Sequence, residues 1–189
     1  MPKKIFSVLC VLALMVSLSA CGGAKKENQV NISVDEAFNK IWSLYSEEEK
    51  FPVMGGDIAN ASSEGPALYS LSEIDGLSFI FYIPAEKIEK IDSMASMVHM
   101  MNSNTFTGAV IKLSDASEFD AFVATLKSSL DMVQWMCGAP DKLIICKLSD
   151  DVLAYAFGEG TIIETFKAKV AEAFKDSTVI TEEDITFNF

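Results

Sequence analysis

The chain of 189 residues contains no arginine and one histidine, His99. Without guanidinium forks it has no bidentate clamp for phosphate or carboxylate. Its formal net charge of -12 is the wrong sign for a phosphate backbone, so no nucleic-acid partner is expected. A single histidine leaves a serine or cysteine triad, a two-histidine zinc site and a histidine acid-base pair without their parts, unless His99 serves alone. Phosphate loops are missing too, because Gly55-Gly56 and Gly158-Glu159-Gly160 have neither the spacing nor the lysine they need. No internal repeat is visible, and four cysteines are too few for a dense disulfide framework. What is present is an apolar half, enough for one folded α+β domain over 33–189.

The N-terminus carries the strongest signal. Lys3 and Lys4 precede an almost unbroken apolar run from Ile5 to Ala20, the layout of a secretion signal. Such a run rises only about 24 Å as a helix, short of the ~30 Å hydrocarbon core. Leu18-Ser19-Ala20-Cys21-Gly22 resembles the lipobox of bacterial lipoproteins. That resemblance implies cleavage between Ala20 and Cys21, removal of residues 1–20, and a diacylglyceryl thioether on Cys21. Two acyl chains hold a protein on a membrane where one is marginal. Residues 21–32 then read as the lipidated cysteine and a flexible polar tether, reaching on the order of 18 Å. The expected location is the extracytoplasmic face of the cell membrane. Lipid rather than a basic face must do the anchoring, since the body is acidic.

Cys10 leaves with the signal and Cys21 takes the lipid, so Cys137 and Cys146 remain. They read as two buried or half-buried thiols, one at a helix end and one in a strand, with a disulfide between them as the alternative. Their spacing matches no metal motif.

Along the body, Ser33 and Glu36 have the spacing of a capping box. A helix is predicted from Ser33 to Lys50, with Val34, Phe38, Ile41, Trp42 and Tyr45 on one stripe and Glu47 to Glu49 fraying its end. Phe51 to Gly76, rich in glycine and serine, reads as a long connection with a short turn of structure at Leu68 to Leu71. Strands are predicted at Leu77–Ile83, Thr105–Leu113, Lys142–Leu148 and Val152–Phe157, the last two as a hairpin. Met94 to Met101 reads as part of a core-facing helix that continues Ile88 and Ile91. Phe119, Phe122, Val123, Leu126, Leu130 and Val133 mark a further helix behind Asp115, and Ile163, Phe166, Val170 and Phe174 a last one from Thr161. The tail Val179 to Phe189 can add an edge strand. The order implies an antiparallel or mixed sheet of about four strands with two to four helices.

Laid out in this way, the chain resembles a family of uncharacterised lipoproteins from Gram-positive bacteria, a domain of unknown function. The resemblance covers Ala67 to Phe166. It rests on the lipobox, Lys112-Leu113 entering an aspartate-capped helix, Trp135-Met136-Cys137-Gly138 closing that helix, and the hairpin ending Ala156-Phe157-Gly158. The methionines from Met94 to Met101 depart from it. It implies an anchored extracytoplasmic domain without an assigned activity.

Thioethers beside an imidazole in an exported protein would suit Cu(I), but on one helix His99 points away from Met94 and Met101. The acidic runs Asp115–Asp120 and Glu182–Asp184 match no calcium loop. No metal or other cofactor is therefore expected. The leading expectation is a membrane-anchored module that binds an envelope protein or a small ligand, with Trp135 among its exposed aromatic residues. The alternatives are a small enzyme using carboxylates or Cys137, and a one-domain binder of a small ligand or metal.

Overall fold

The computed structural model describes residues 33–135 and 138–185. The signal segment 1–20, the Ala20–Cys21 junction, the tether, Cys137 and the last four residues lie outside them. The α+β class holds. One antiparallel sheet is built from seven strands, three more than anticipated, and helices lie on both of its faces.

In chain order the elements are α1 (Val34–Trp42), β1 (Val53–Gly55), β2 (Ala67–Leu68), α2 (Ile74–Phe79), α3 (Ala85–Ile88), β3 (Ile91–His99), β4 (Phe106–Leu113), α4 (Phe119–Asp131), β5 (Lys142–Lys147), β6 (Val152–Gly158), α5 (Gly160–Ala173) and β7 (Thr178–Asp184). Spatially the strands run β1, β3, β4, β6, β5, β7, with β2 sharing the outer side of β3. One face packs against α1 and α5 through Phe38, Ile41, Phe106 and Phe166. The other packs against α2 and α4 through Leu77, Phe122, Leu126 and Tyr155.

Burial on both faces shapes the two central strands β6 and β3, and in β3 it explains a departure from the sequence reading. Every residue of β6 is buried, so its pattern is a continuous apolar run rather than an alternation. In β3 the same condition makes Met94 and Met97 both buried, the first against α2 and α4, the second against α1 and α5. Residues 94–99 are therefore strand, not helix. With no polar face, methionine, alanine and serine carried a helical composition into a sheet.

The segment 77–83, anticipated as a strand, is the end of α2 and a tight loop. The Gly76 carbonyl accepts the N–H of Ile80 and of Phe81, and the Leu77 carbonyl accepts that of Ile83. Leu77, Phe81 and Ile83 are all buried. The apolar content is thus used to roof the sheet, not to extend it. Helix α1 also stops at Trp42, well before Lys50. The Ser33 N–H and hydroxyl donate to Glu36 at its start. Past its end the glutamates serve turns instead of a helix: Glu49 takes the Ser46 N–H at 2.8 Å and pairs with Lys169 of α5. Carboxylates at a helix C-terminus oppose its dipole, which favours this arrangement.

The connection 51–76 holds β1 and β2, tied by the buried Asp57. Its carboxylate accepts the N–H groups of Ala59, Asn60 and Ser70 and the Asn60 amide. Burial opposes its charge, but these hydrogen bonds prevail and hold its pKa below the usual carboxylate range. At the far edge, β7 is clipped from both faces: Lys167 of α5 reaches Glu182 at 2.7 Å, and Lys127 of α4 reaches Glu183 at 2.8 Å. The register shift between Ile145 and Cys146 bulges β7 near Ile180, a device that discourages an open edge from pairing further.

Candidate functional site

The most distinctive local geometry lies at the corner where the loop after α2 crosses the sheet. Tyr82 has φ +53°, the left-handed region that costs a non-glycine residue of order 1 kcal/mol or more. The sequence dictates this. Phe81 and Ile83 both have to enter the core, and Pro84 restricts Ile83 to extended backbone, so the reversal falls on the residue between them. Tyr82 is thereby turned to pack on Trp135 (ring centroids 5.3 Å) and Phe157 (5.6 Å), and Trp135 lies 5.8 Å from Phe157.

Phe157 is buried and Tyr82 and Trp135 are half-buried, and large apolar side chains close to the latter two in sequence are left in solvent. Phe79, three residues before Tyr82, is 74% exposed, and Met132, three before Trp135, is equally so. Along the same face a cross-strand row links Phe157 through Thr107 and Val98 to Met54 on the sheet edge. Only Trp135 of these residues was singled out by sequence reasoning. Tyr82 and Phe79 were hidden inside a presumed strand, although Gly76 and Pro84 bracketing a run of aromatics could have suggested a loop.

The sequence-derived candidates are dispersed. His99 is a structural residue. Its ring stacks on Phe51 at 5.6 Å, while its Nδ1 accepts the N–H of Met101 and of Asn102 to close the β3–β4 turn. It pairs with Val53, which belongs to the α1 face, whereas Met54 and Val98 pair one residue on and belong to the opposite face. The strand period thus separates the imidazole from the Met54 side of the sheet. Among the described residues no group of three or more His, Cys, Asp or Glu side chains is placed to hold a metal ion.

Cys146 is buried on the α1 and α5 side of β5. Burial and then the charge of Glu182 push its thiol up to about 12, so the nucleophilic thiolate is disfavoured. Its suggested disulfide partner, Cys137, lies outside the described residues. Asp115 caps the short turn before α4 by accepting the Ser117 N–H at 2.8 Å, and Glu182 and Glu183 are paired with lysines.

Set against protein-family models, curated proteins and solved structures, the chain matches none.

Proposed function

We propose that this chain is a lipid-anchored lipoprotein of the extracytoplasmic face of the cell membrane, and that its domain is an interaction module that binds an envelope protein through apolar contacts. The lipobox Leu18 to Cys21 and the resemblance to Gram-positive lipoproteins support the anchor. The observation that carries the binding reading is the strained Tyr82, which packs edge-on against Trp135 and also contacts Phe157, three residues after the exposed Phe79. Strained backbone and solvent-facing aromatics are costly to keep, and they concentrate where surfaces meet partners.

The anchor is tested by fractionating cells that carry Cys21→Ser. The parent should stay with membranes until detergent is added, and the variant should be soluble; firm retention of the variant rejects the anchor. The binding reading is tested by in-cell crosslinking of the full protein, comparing the parent with Phe79→Asp and Trp135→Ala. A discrete crosslinked species lost in both variants supports it. Loss of no species, or a small-molecule mass adduct on the purified protein in its place, would overturn the protein-partner reading.

A further inference from the structure

Among the described methionines, Met94 and Met97 are 1% and 0% exposed, whereas Met132 stands alone in solvent after α4 and Met54, Met100 and Met101, 40%, 47% and 81% exposed, gather at one corner of the sheet. The pairing brings these three together. Met54 lies opposite Val98, and the Met100 N–H donates to the Pro52 carbonyl at 2.9 Å, carrying the ladder one step beyond Val53 and His99. Met54 and Met100 thus sit on adjacent strands two residues apart in register, about 8 Å between backbones. Met101 follows directly.

We infer that this corner is a site of reversible methionine oxidation whose oxidant is a peroxide. A thioether needs no deprotonation to react, unlike a thiol. In the step, a sulfur lone pair attacks one peroxide oxygen, the S–O bond forms and the O–O bond breaks. Sulfur loses two electrons to give the sulfoxide, and the departing oxygen leaves as water after taking up a proton. Among the described residues the one thiol, Cys146, is buried and its thiolate disfavoured, so it does not compete for oxidant.

The corner is also built to survive the change. Its turn is held by main-chain N–H groups and the imidazole: the Met100 N–H donates to the Pro52 carbonyl, and the Met101 and Asn102 N–H groups donate to His99 Nδ1. No described polar contact uses the thioether sulfurs. A sulfoxide, polar and hydrogen-bonding, adds to a solvent-facing side chain without displacing any of these bonds. Oxidation at Met94 or Met97 would instead place an oxygen in a packed core. The inference does not depend on the lipid anchor or on an envelope partner.

The test is peptide mass mapping of the full-length folded protein after treatment with hydrogen peroxide, with circular dichroism recorded in parallel. Met54, Met100 and Met101 should each gain ~16 Da at least about tenfold faster than Met94 and Met97, with the spectrum unchanged. Methionine sulfoxide reductases acting on the folded product should remove the added mass. Comparable oxidation of Met94 and Met97, loss of the folded spectrum as the corner oxidises, or sulfoxides that the reductases cannot reach would each overturn it.

Discussion

The hydroxyl of Tyr155, at the centre of β6, donates to the carbonyl of Phe81 at 2.9 Å. These residues are 74 positions apart, and both are fully buried. The bond is what lets a loop rather than a helix or strand roof this part of the sheet, because it satisfies a carbonyl that the loop would otherwise bury unpaired. Burial also pushes the phenol pKa well above its usual value, so Tyr155 remains a donor throughout the working pH range.

Tyr155→Phe should therefore lower stability by about 1–3 kcal/mol, the cost of leaving one buried carbonyl without a donor. The change removes no carbon atoms, so cavity formation does not contribute. Urea unfolding with an unchanged m-value checks it, and a loss under a few tenths of a kcal/mol would mean that water replaces the hydroxyl.

At Tyr82 the backbone makes an unusual demand. Glycine normally destabilises relative to alanine, but in the left-handed region alanine carries the steric cost that glycine lacks. Both Tyr82→Ala and Tyr82→Gly lose the ring contacts with Trp135 and Phe157. Their difference isolates the strain: Tyr82→Gly should be the more stable of the two by about 1 kcal/mol. The reverse order in thermal or urea unfolding would show that the φ is relaxed in solution.

These two sites also mark where the sequence was readable. Helices with one buried stripe, α4 and α5, were found nearly to the residue, as was the β5–β6 hairpin with its Asp150-Asp151 turn. Period gives out where both sides of an element are buried. Met94 and Met97 point to opposite cores, so β3 shows no alternation, and a run of methionine and alanine then suggests a helix. Leu77 to Ile83 failed for a different reason, because Leu77, Phe81 and Ile83 enter the core from a helix end and the loop after it, where no single period applies. The corner formed by Tyr82 and Trp135 depends on contacts over fifty positions in the chain, beyond the reach of any local pattern.

Gly76 lies within α2, where glycine to alanine ordinarily gains about 0.5–1 kcal/mol. Here a Cβ would fall 1.8 Å from the Tyr69 hydroxyl and 3.1 Å from its Cζ. Gly76→Ala should instead cost about 1–3 kcal/mol as the ring is pushed off. In a Tyr69→Phe background the closest clash disappears, and most of that cost should vanish. A double-mutant cycle by urea unfolding reads the coupling directly, and additive effects would refute the contact.

Acid sensitivity should be concentrated at the clip on β7. Hydrogen bonds from Lys142 and then Lys167 lower the Glu164 pKa to about 2, from the ordinary 4.5. Because the folded value is the lower one, the unfolded chain binds the proton more readily. The contribution of Glu164 to stability is then fully present above about pH 4.5 and is lost as pH falls through about 2. Glu164→Gln should be less stable than the parent at neutral pH, and the two should converge near the acid end of that window. Its loss should be felt beyond α5, since Lys167 joins Glu164 and Glu182 and so fastens the edge strand to the helix. Amide exchange in Thr178–Asp184 should accordingly quicken in the variant at neutral pH and in the parent near the low end of the window. A difference between the two proteins that stays constant with pH would assign the effect to packing rather than to the carboxylate's charge.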